Sequence, residues 1–305
     1  MKRPGRLTIA LVFVVLCLIW GSTWAVIQIG LEGVPPFSGV SIRFVIAAIV
    51  MLALTLLMRI RIGKTRRERM LWVINGLLSF AVSYGVVYWS EQWVPSGLAA
   101  VLFATYPLFV AIVAHFILPS ESLTRPEAWG ILAGFLGVGV IFSEDFASLG
   151  GEGVALAAAV MLLSPSSAAV ASVAVKRWGS GIHPFSLTAV PMAIGAGLTG
   201  VIALLTERGR PIVWDTRSVS ALLYLAIMGS AVTFSLYYWL LSHLPAKRLA
   251  LIAYIIPVEA VVIGAFRDEP ITLRVILGAT LVIAGVALAV HRGGEGEEAL
   301  AKGTA

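Results

Sequence analysis

The sequence predicts an all-α polytopic membrane protein: ten transmembrane helices arranged as two inverted five-helix repeats, with both termini cytoplasmic. Three observations carry this. The 305-residue chain is 59% hydrophobic and 12% charged, with a mean hydropathy of +0.96, outside the balance of a soluble domain. Apolar windows long enough to span a bilayer recur along it. The chain also resembles itself at a fixed offset.

The windows fall at about 7–29, 38–58, 70–89, 96–118, 127–143, 153–175, 185–205, 218–241, 248–266 and 272–290. The opening "MKRPGR" followed by "LTIALVFVVLCLIW" has the form of a secretory signal, but its apolar run is too long for one, so it is read as a retained first helix. Connections are short. Residues 1–145 form the first repeat, 150–292 the second, and the acidic, Gly-rich stretch 293–305 a disordered cytoplasmic tail. With the N-terminus inside, sixteen Lys and Arg lie in cytoplasmic segments and five outside, and Arg43 falls within the second span. That excess sets the orientation and accounts for the net charge of +6 without nucleic acid. Cys17, alone of its kind, supports neither a disulfide framework nor a thiolate metal site.

An offset of 150 lays Tyr88-Trp89 on Tyr238-Trp239, Pro95 on Pro245 and Pro107 on Pro257. An offset of 148 lays "PFS" at 36–38 on "PFS" at 184–186, Glu121 on Glu269, and Gly130 and Gly137 on Gly278 and Gly285. Five helices per half is an odd number, so the second half is inverted relative to the first. This is the plan of a transporter with a midplane site between its halves.

The segments "LIWGSTWAVIQIGLEGVPPFSGVSIRF", "SGLAAVLFATYPLFVAIVAHFILPSESLT" and "LALIAYIIPVEAVVIGAFRDEPIT" resemble signature stretches of the drug/metabolite transporter (DMT) superfamily, in its ten-helix EamA-type branch. The resemblance covers about residues 7–290. It implies a multi-pass exporter of small metabolites in a bacterial-type inner membrane, with YddG-type amino-acid exporters as the nearest branch. Pro119-Ser120-Glu121 and Arg267-Asp268-Glu269 depart from the Leu-Gly-Glu usual at those helix ends, and Glu259 stands where an apolar residue is usual.

In the first span, Trp20, Thr23, Trp24 and Gln28 share one helical face around the small notch Gly21-Ser22-Thr23. The face lines a wet cavity or is a small-residue packing surface. The equivalent sixth span carries Ser164, Pro165 and Ser166, where the proline frees a carbonyl at membrane depth. Thr105-Tyr106-Pro107 and Tyr254 with Pro257 place symmetric prolines near mid-bilayer as candidate hinges, together with Pro165. Tyr84, Tyr88 and Tyr237 are cavity candidates, whereas Trp89 and Trp239 fit the interfacial belt. Glu259 reads as the most buried acid, able to hold a proton or a cationic group unless it is a structural acid. Arg43, roughly 9 Å deep, either snorkels to the interface or meets a carboxylate, from an amino acid or from Glu91. Glycines on spans five and ten prepare close helix contact, within one chain or between two.

These residues predict export of small amphipathic metabolites, amino acids foremost, by alternating access. A proton-coupled exporter of cationic drugs is the alternative. A membrane enzyme acting on lipid-linked substrates would need a catalytic or metal cluster at an interface. No DDxxD, HExxH, P-loop or Ser-His-Asp arrangement is present, so the chain is read as a non-enzyme without cofactor or metal. The expected partners are a small-molecule substrate and the lipid bilayer. Proton coupling and the choice between monomer and homodimer are left open.

Overall fold

The computed structural model describes residues 5–60, 62–63, 65–118, 125–143, 153–243, 252–267, 271–285 and 287–288. The tail 293–305 and the side chains of Tyr254 and Pro257 lie outside the described residues. Every regular element described is helical: α1 Arg6–Leu31, α2 Pro36–Leu57, α3 Arg66–Ser90, α4 Ser96–Ile117, α5 Arg125–Phe142, α6 Val154–Trp178, α7 Ser186–Thr206, α8 Thr216–Leu240, α9 Ile252–Ala265 and α10 Leu273–Gly285. Among the described residues, seven of these (α1 to α4 and α6 to α8) are long and apolar enough to cross a membrane. Within lipid a helix satisfies its backbone groups inside one segment, which suits continuous apolar windows about twenty residues long. Leu18, Leu56, Phe116 and Leu204 are exposed, the pattern of a surface solvated by lipid rather than water.

Helices α3 and α8, like α10, where Thr272 accepts from the Val275 amide at 3.3 Å, begin on side-chain caps. Thr65 accepts from the Glu68 amide at the head of α3, and Asp215 accepts from the Ser218 amide at the head of α8. Both helices then widen into a π-helical stretch, Gly76–Ser83 in α3 and Ile227–Val232 in α8. Such widened turns free carbonyls that a side chain must satisfy, and Ser230 does so by donating to the Leu225 carbonyl at 2.9 Å. α4 breaks at Ala104-Thr105, one residue before the Tyr106–Ile117 segment that holds Pro107. α6 breaks at Leu162, just ahead of Pro165.

α2 and α7 pack antiparallel, joined by Ser41 Oγ donating to the Ala196 carbonyl at 2.9 Å. α7 also covers the widened part of α3, where Gly195 lies against Phe80 and Gly76 against Ile194. The glycines of α5 and α10 meet each other within the chain. A Cβ on Gly137 would sit 2.6 Å from the Gly278 carbonyl and 2.7 Å from the Val282 amide, so only hydrogen fits at that crossing. α1 lies against α4, α8 and α9, and its notch therefore faces helices from both ends of the chain.

Candidate functional site

Helix α1 places its two tryptophans about one turn apart, and each meets a different helix. Trp24 is buried, with its ring 5.5 Å from Phe103 of α4. Trp20 has its ring 5.4 Å from Tyr237 and 5.8 Å from Phe234, both on α8. Phe103 stacks on Tyr106 at 5.8 Å, and Tyr106 donates to Ser172 Oγ at 2.7 Å. Tyr237 stands beside this pair, so hydroxyl-bearing side chains from α4, α6 and α8 cluster at one place. The belt continues from Phe234 to Phe80 at 5.0 Å and on to Phe44 at 5.2 Å, with Tyr84 5.0 Å from Phe44. It is an apolar wall with a few hydroxyl handles, the composition of small-molecule sites in general.

Two charged groups flank α1. Arg43 is fully buried, so it does not snorkel. It donates through Nε to Ser230 Oγ at 2.8 Å and through Nη2 to the Gly229 carbonyl at 2.9 Å. Its third contact is longer, Nη1 to Tyr88 Oη at 3.4 Å, and its guanidinium lies 4.7 Å above the Tyr84 ring. Among the described residues no ion pair is seen between Arg43 and Glu91. Instead Arg43 holds the widened turn of α8 from α2, and it does so with hydrogen bonds and ring faces in place of a carboxylate.

On the other side, the Glu259 carboxylate packs onto Gly21, where any Cβ would collide with it. Its Oε2 is buried and accepts no hydrogen bond among the described residues, and the buried Trp20 Nε1 likewise donates none to them. Glu259 is not the most buried acid, as the sequence suggested. Glu68, Glu91 and Glu207 are all buried, while Glu259 is half-buried. All three stand near span ends, where neighbouring elements cover them.

Other expected site residues are satisfied locally. Thr23 donates to the Trp20 carbonyl at 2.6 Å, and its methyl faces Gly229. Gln28 donates to the Val94 carbonyl at 3.0 Å, tying α1 to the segment before α4 rather than joining the belt. Thr105 donates to Leu102 within its own helix. Ser164 pairs with Ser83 of α3 at 2.8 Å, and Ser166 donates back to Leu163. Phe80, Phe103, Ser172 and Phe234 are belt members that residue typing missed. Phe103 and Phe234 lie three positions before Tyr106 and Tyr237, an i, i+3 spacing that marks a shared face.

Comparison with known proteins fits this architecture. The EamA-like transporter family profile matches the chain twice, over residues 7–143 and 155–291. The protein named uncharacterized inner membrane transporter YedA of Escherichia coli (strain K12) is 34% identical over 254 residues, 82% of this chain and 79% of that one. The protein named uncharacterized transporter YoaV of Bacillus subtilis (strain 168) is 26% identical over 270 residues, 88% of this chain and 92% of that one. A crystal structure covering 93% of this chain and 98% of its own superposes with a TM-score of 0.66 at 19% identity, a likeness of fold alone. The chain is a multi-pass membrane transporter and belongs to the EamA-like transporter family.

Proposed function

We propose that this transporter exports small amphipathic metabolites, with amino acids as the principal cargo, by alternating access between two inverted five-helix repeats, residues 1–145 and 150–292. In this reading α5, α9 and α10 complete ten spans, both termini are cytoplasmic, and the membrane is the bacterial inner one. The double family match supports the repeat. So do the widened turns of α3 and α8 and their caps Thr65 and Asp215, which stand 150 positions apart. The printed name of YedA supports the inner membrane.

One observation carries the cargo class. The notch of α1 is flanked by Trp20 and Trp24, which carry the aromatic belt with the hydroxyls of Tyr106, Ser172 and Tyr237 close by, and the Glu259 carboxylate is set against Gly21 with its Oε2 accepting no hydrogen bond among the described residues. Apolar walls suit a side chain, the hydroxyls suit a polar group, and Glu259 suits an ammonium. Arg43, Tyr84 and Tyr88 then brace the wall, and Pro107, Pro165 and Pro257 serve as hinges between inward-open and outward-open states. The same carboxylate beside aromatic faces also favours a second reading, proton-coupled export of cationic drugs.

Counterflow of a labelled amino-acid panel into proteoliposomes, with and without a pH gradient, tests the first reading. Counterflow of at least one amino acid supports it, and none for any amino acid overturns it. Cationic-dye flux that depends on the pH gradient and is lost in Glu259→Gln, with amino acids inert, establishes the second.

A further inference from the structure

The outward faces of α2 and α7 enclose a groove of about 870 Å³, within the range of ligand-sized sites. Ile42, Val45 and Ile49 form one wall, and Ala193, Gly197 and Gly200 the other. The small residues leave the floor open: a Cβ on Gly197 would meet nothing within 4 Å. The groove is apolar along the helices and cationic at one end, where Arg208 and Arg210 form its rim. Both arginines are exposed, and neither guanidinium is hydrogen bonded or ion-paired among the described residues. Glu207 also lines the groove but forms no ion pair with either arginine among the described residues; its carboxylate faces the Phe37 and Ser38 amides and the Ser38 hydroxyl, and two arginines against one acid leave the rim net cationic.

We propose that this groove is a binding site for an anionic phospholipid of the surrounding bilayer, its phosphate on Arg208 and Arg210 and one acyl chain along Gly197 and Gly200. The charge pattern selects the occupant. A lipid supplies an anion at headgroup depth and hydrocarbon below it, matching the cationic rim and apolar walls at their respective depths. A second copy related by a twofold axis normal to the membrane would instead bring the same two arginines toward their counterparts at equal depth, a like-charge contact. The site lies outside the aromatic belt, and a failed cargo assay leaves it intact.

Native mass spectrometry of the full chain, released from nanodiscs of mixed phosphatidylglycerol and phosphatidylcholine, tests the site. Wild type should retain phosphatidylglycerol preferentially. Arg208→Gln/Arg210→Gln should lower that preference by about fivefold per arginine, and Gly197→Leu, which fills the groove, should lower retention of both lipids. Size-exclusion and melting profiles verify folding. Should the double variant not be recovered, Arg210→Gln alone decides, with a fivefold loss expected. Equal retention of the two lipids by wild type, an unchanged preference in the arginine variants, or disulfide-linked dimers of Val45→Cys closing over this face would overturn the proposal.

Discussion

Pro-Phe-Ser opens both α2 and α7, yet the two helix starts are built differently. At the head of α2, Pro35 provides no side-chain cap, and the second and third amides turn instead to a carboxylate from another helix. Glu207, at the C-cap of α7, accepts from Phe37 N at 2.7 Å, from Ser38 N at 2.8 Å and from Ser38 Oγ at 2.7 Å. At the head of α7, the Ser186 amide donates at 2.9 Å to the His183 carbonyl, in its own preceding turn. Among the described residues Glu68 of α3 takes the Ser186 hydroxyl and the Gly63 amide, while Trp72 Nε1 donates to the same hydroxyl at 3.0 Å. Both serines thus meet a buried carboxylate, at opposite ends of the α2–α7 pair. The α2 start depends on its neighbour, whereas the α7 start is held locally. Orphaned helix amides are the costlier omission, so the same tripeptide confers unequal dependence on its acid.

The largest expected effect follows directly. Glu207→Ala leaves two helix amides and a hydroxyl without their acceptor and removes a favourable charge from the α2 N-terminus. We expect a loss of about 3 kcal/mol, on the scale of charge-assisted bonds, read by SDS titration in mixed micelles. Glu68→Ala should cost about 2 kcal/mol, because the α7 amides keep His183. An equal or larger loss in Glu68→Ala would break the comparison.

The serines should rank the other way. Ser186→Ala leaves Trp72 Nε1 without its acceptor and Glu68 without the Ser186 hydroxyl, at an expected cost of about 1.5 kcal/mol. Ser38→Ala leaves Glu207 with both α2 amides and should cost about 0.5 kcal/mol. Trp72 fluorescence offers a second readout, and it should shift in Ser186→Ala and stay constant in Ser38→Ala.

The sequence conveys the helices because a bilayer dictates apolar length, and each window from 7–29 to 272–290 overlaps a described helix. Trp20, Tyr84, Tyr106 and Tyr237 were legible as a group because aromatic and hydroxyl groups at membrane depth seek protein rather than lipid. The acids were not legible. Glu68 sits in the basic run "RIRIGKTRRER", and Glu207 precedes Arg208, so both look like solvated loop charges. Which carboxylate reaches which helix start is tertiary information. The π-helical stretches likewise lie against other helices, Gly76–Ser83 under α7 and Ile227–Val232 beside α2, and Gly76–Ser83 has no local signature that separates it from ordinary helix. Arg43 was visible as a charge within a span, read as snorkelling or meeting a carboxylate; its partners Ser230 and Gly229 exist as a site only once α8 widens.

The smallest expected effect concerns the other pair of equivalent ends, the caps of α3 and α8. Thr65 and Asp215 occupy corresponding positions and perform the same task, but only one can titrate. Thr65→Ala should cost about 1 kcal/mol, with no dependence on pH. Asp215 is held below the usual carboxylate range, chiefly by the Ser218 backbone amide. A depressed native value means the unfolded chain binds this proton more readily. The stabilisation is therefore complete above the unfolded value of about 3.9 and is lost as pH falls through the lower native value. The melting-temperature gap between wild type and Asp215→Ala should be constant from pH 8 to about pH 5 and close on further acidification, while the Thr65→Ala gap persists. A gap for Asp215→Ala that survives full protonation would show that the α8 start is held by something other than this carboxylate, leaving the α3 cap as the sole side-chain cap of the two that matters.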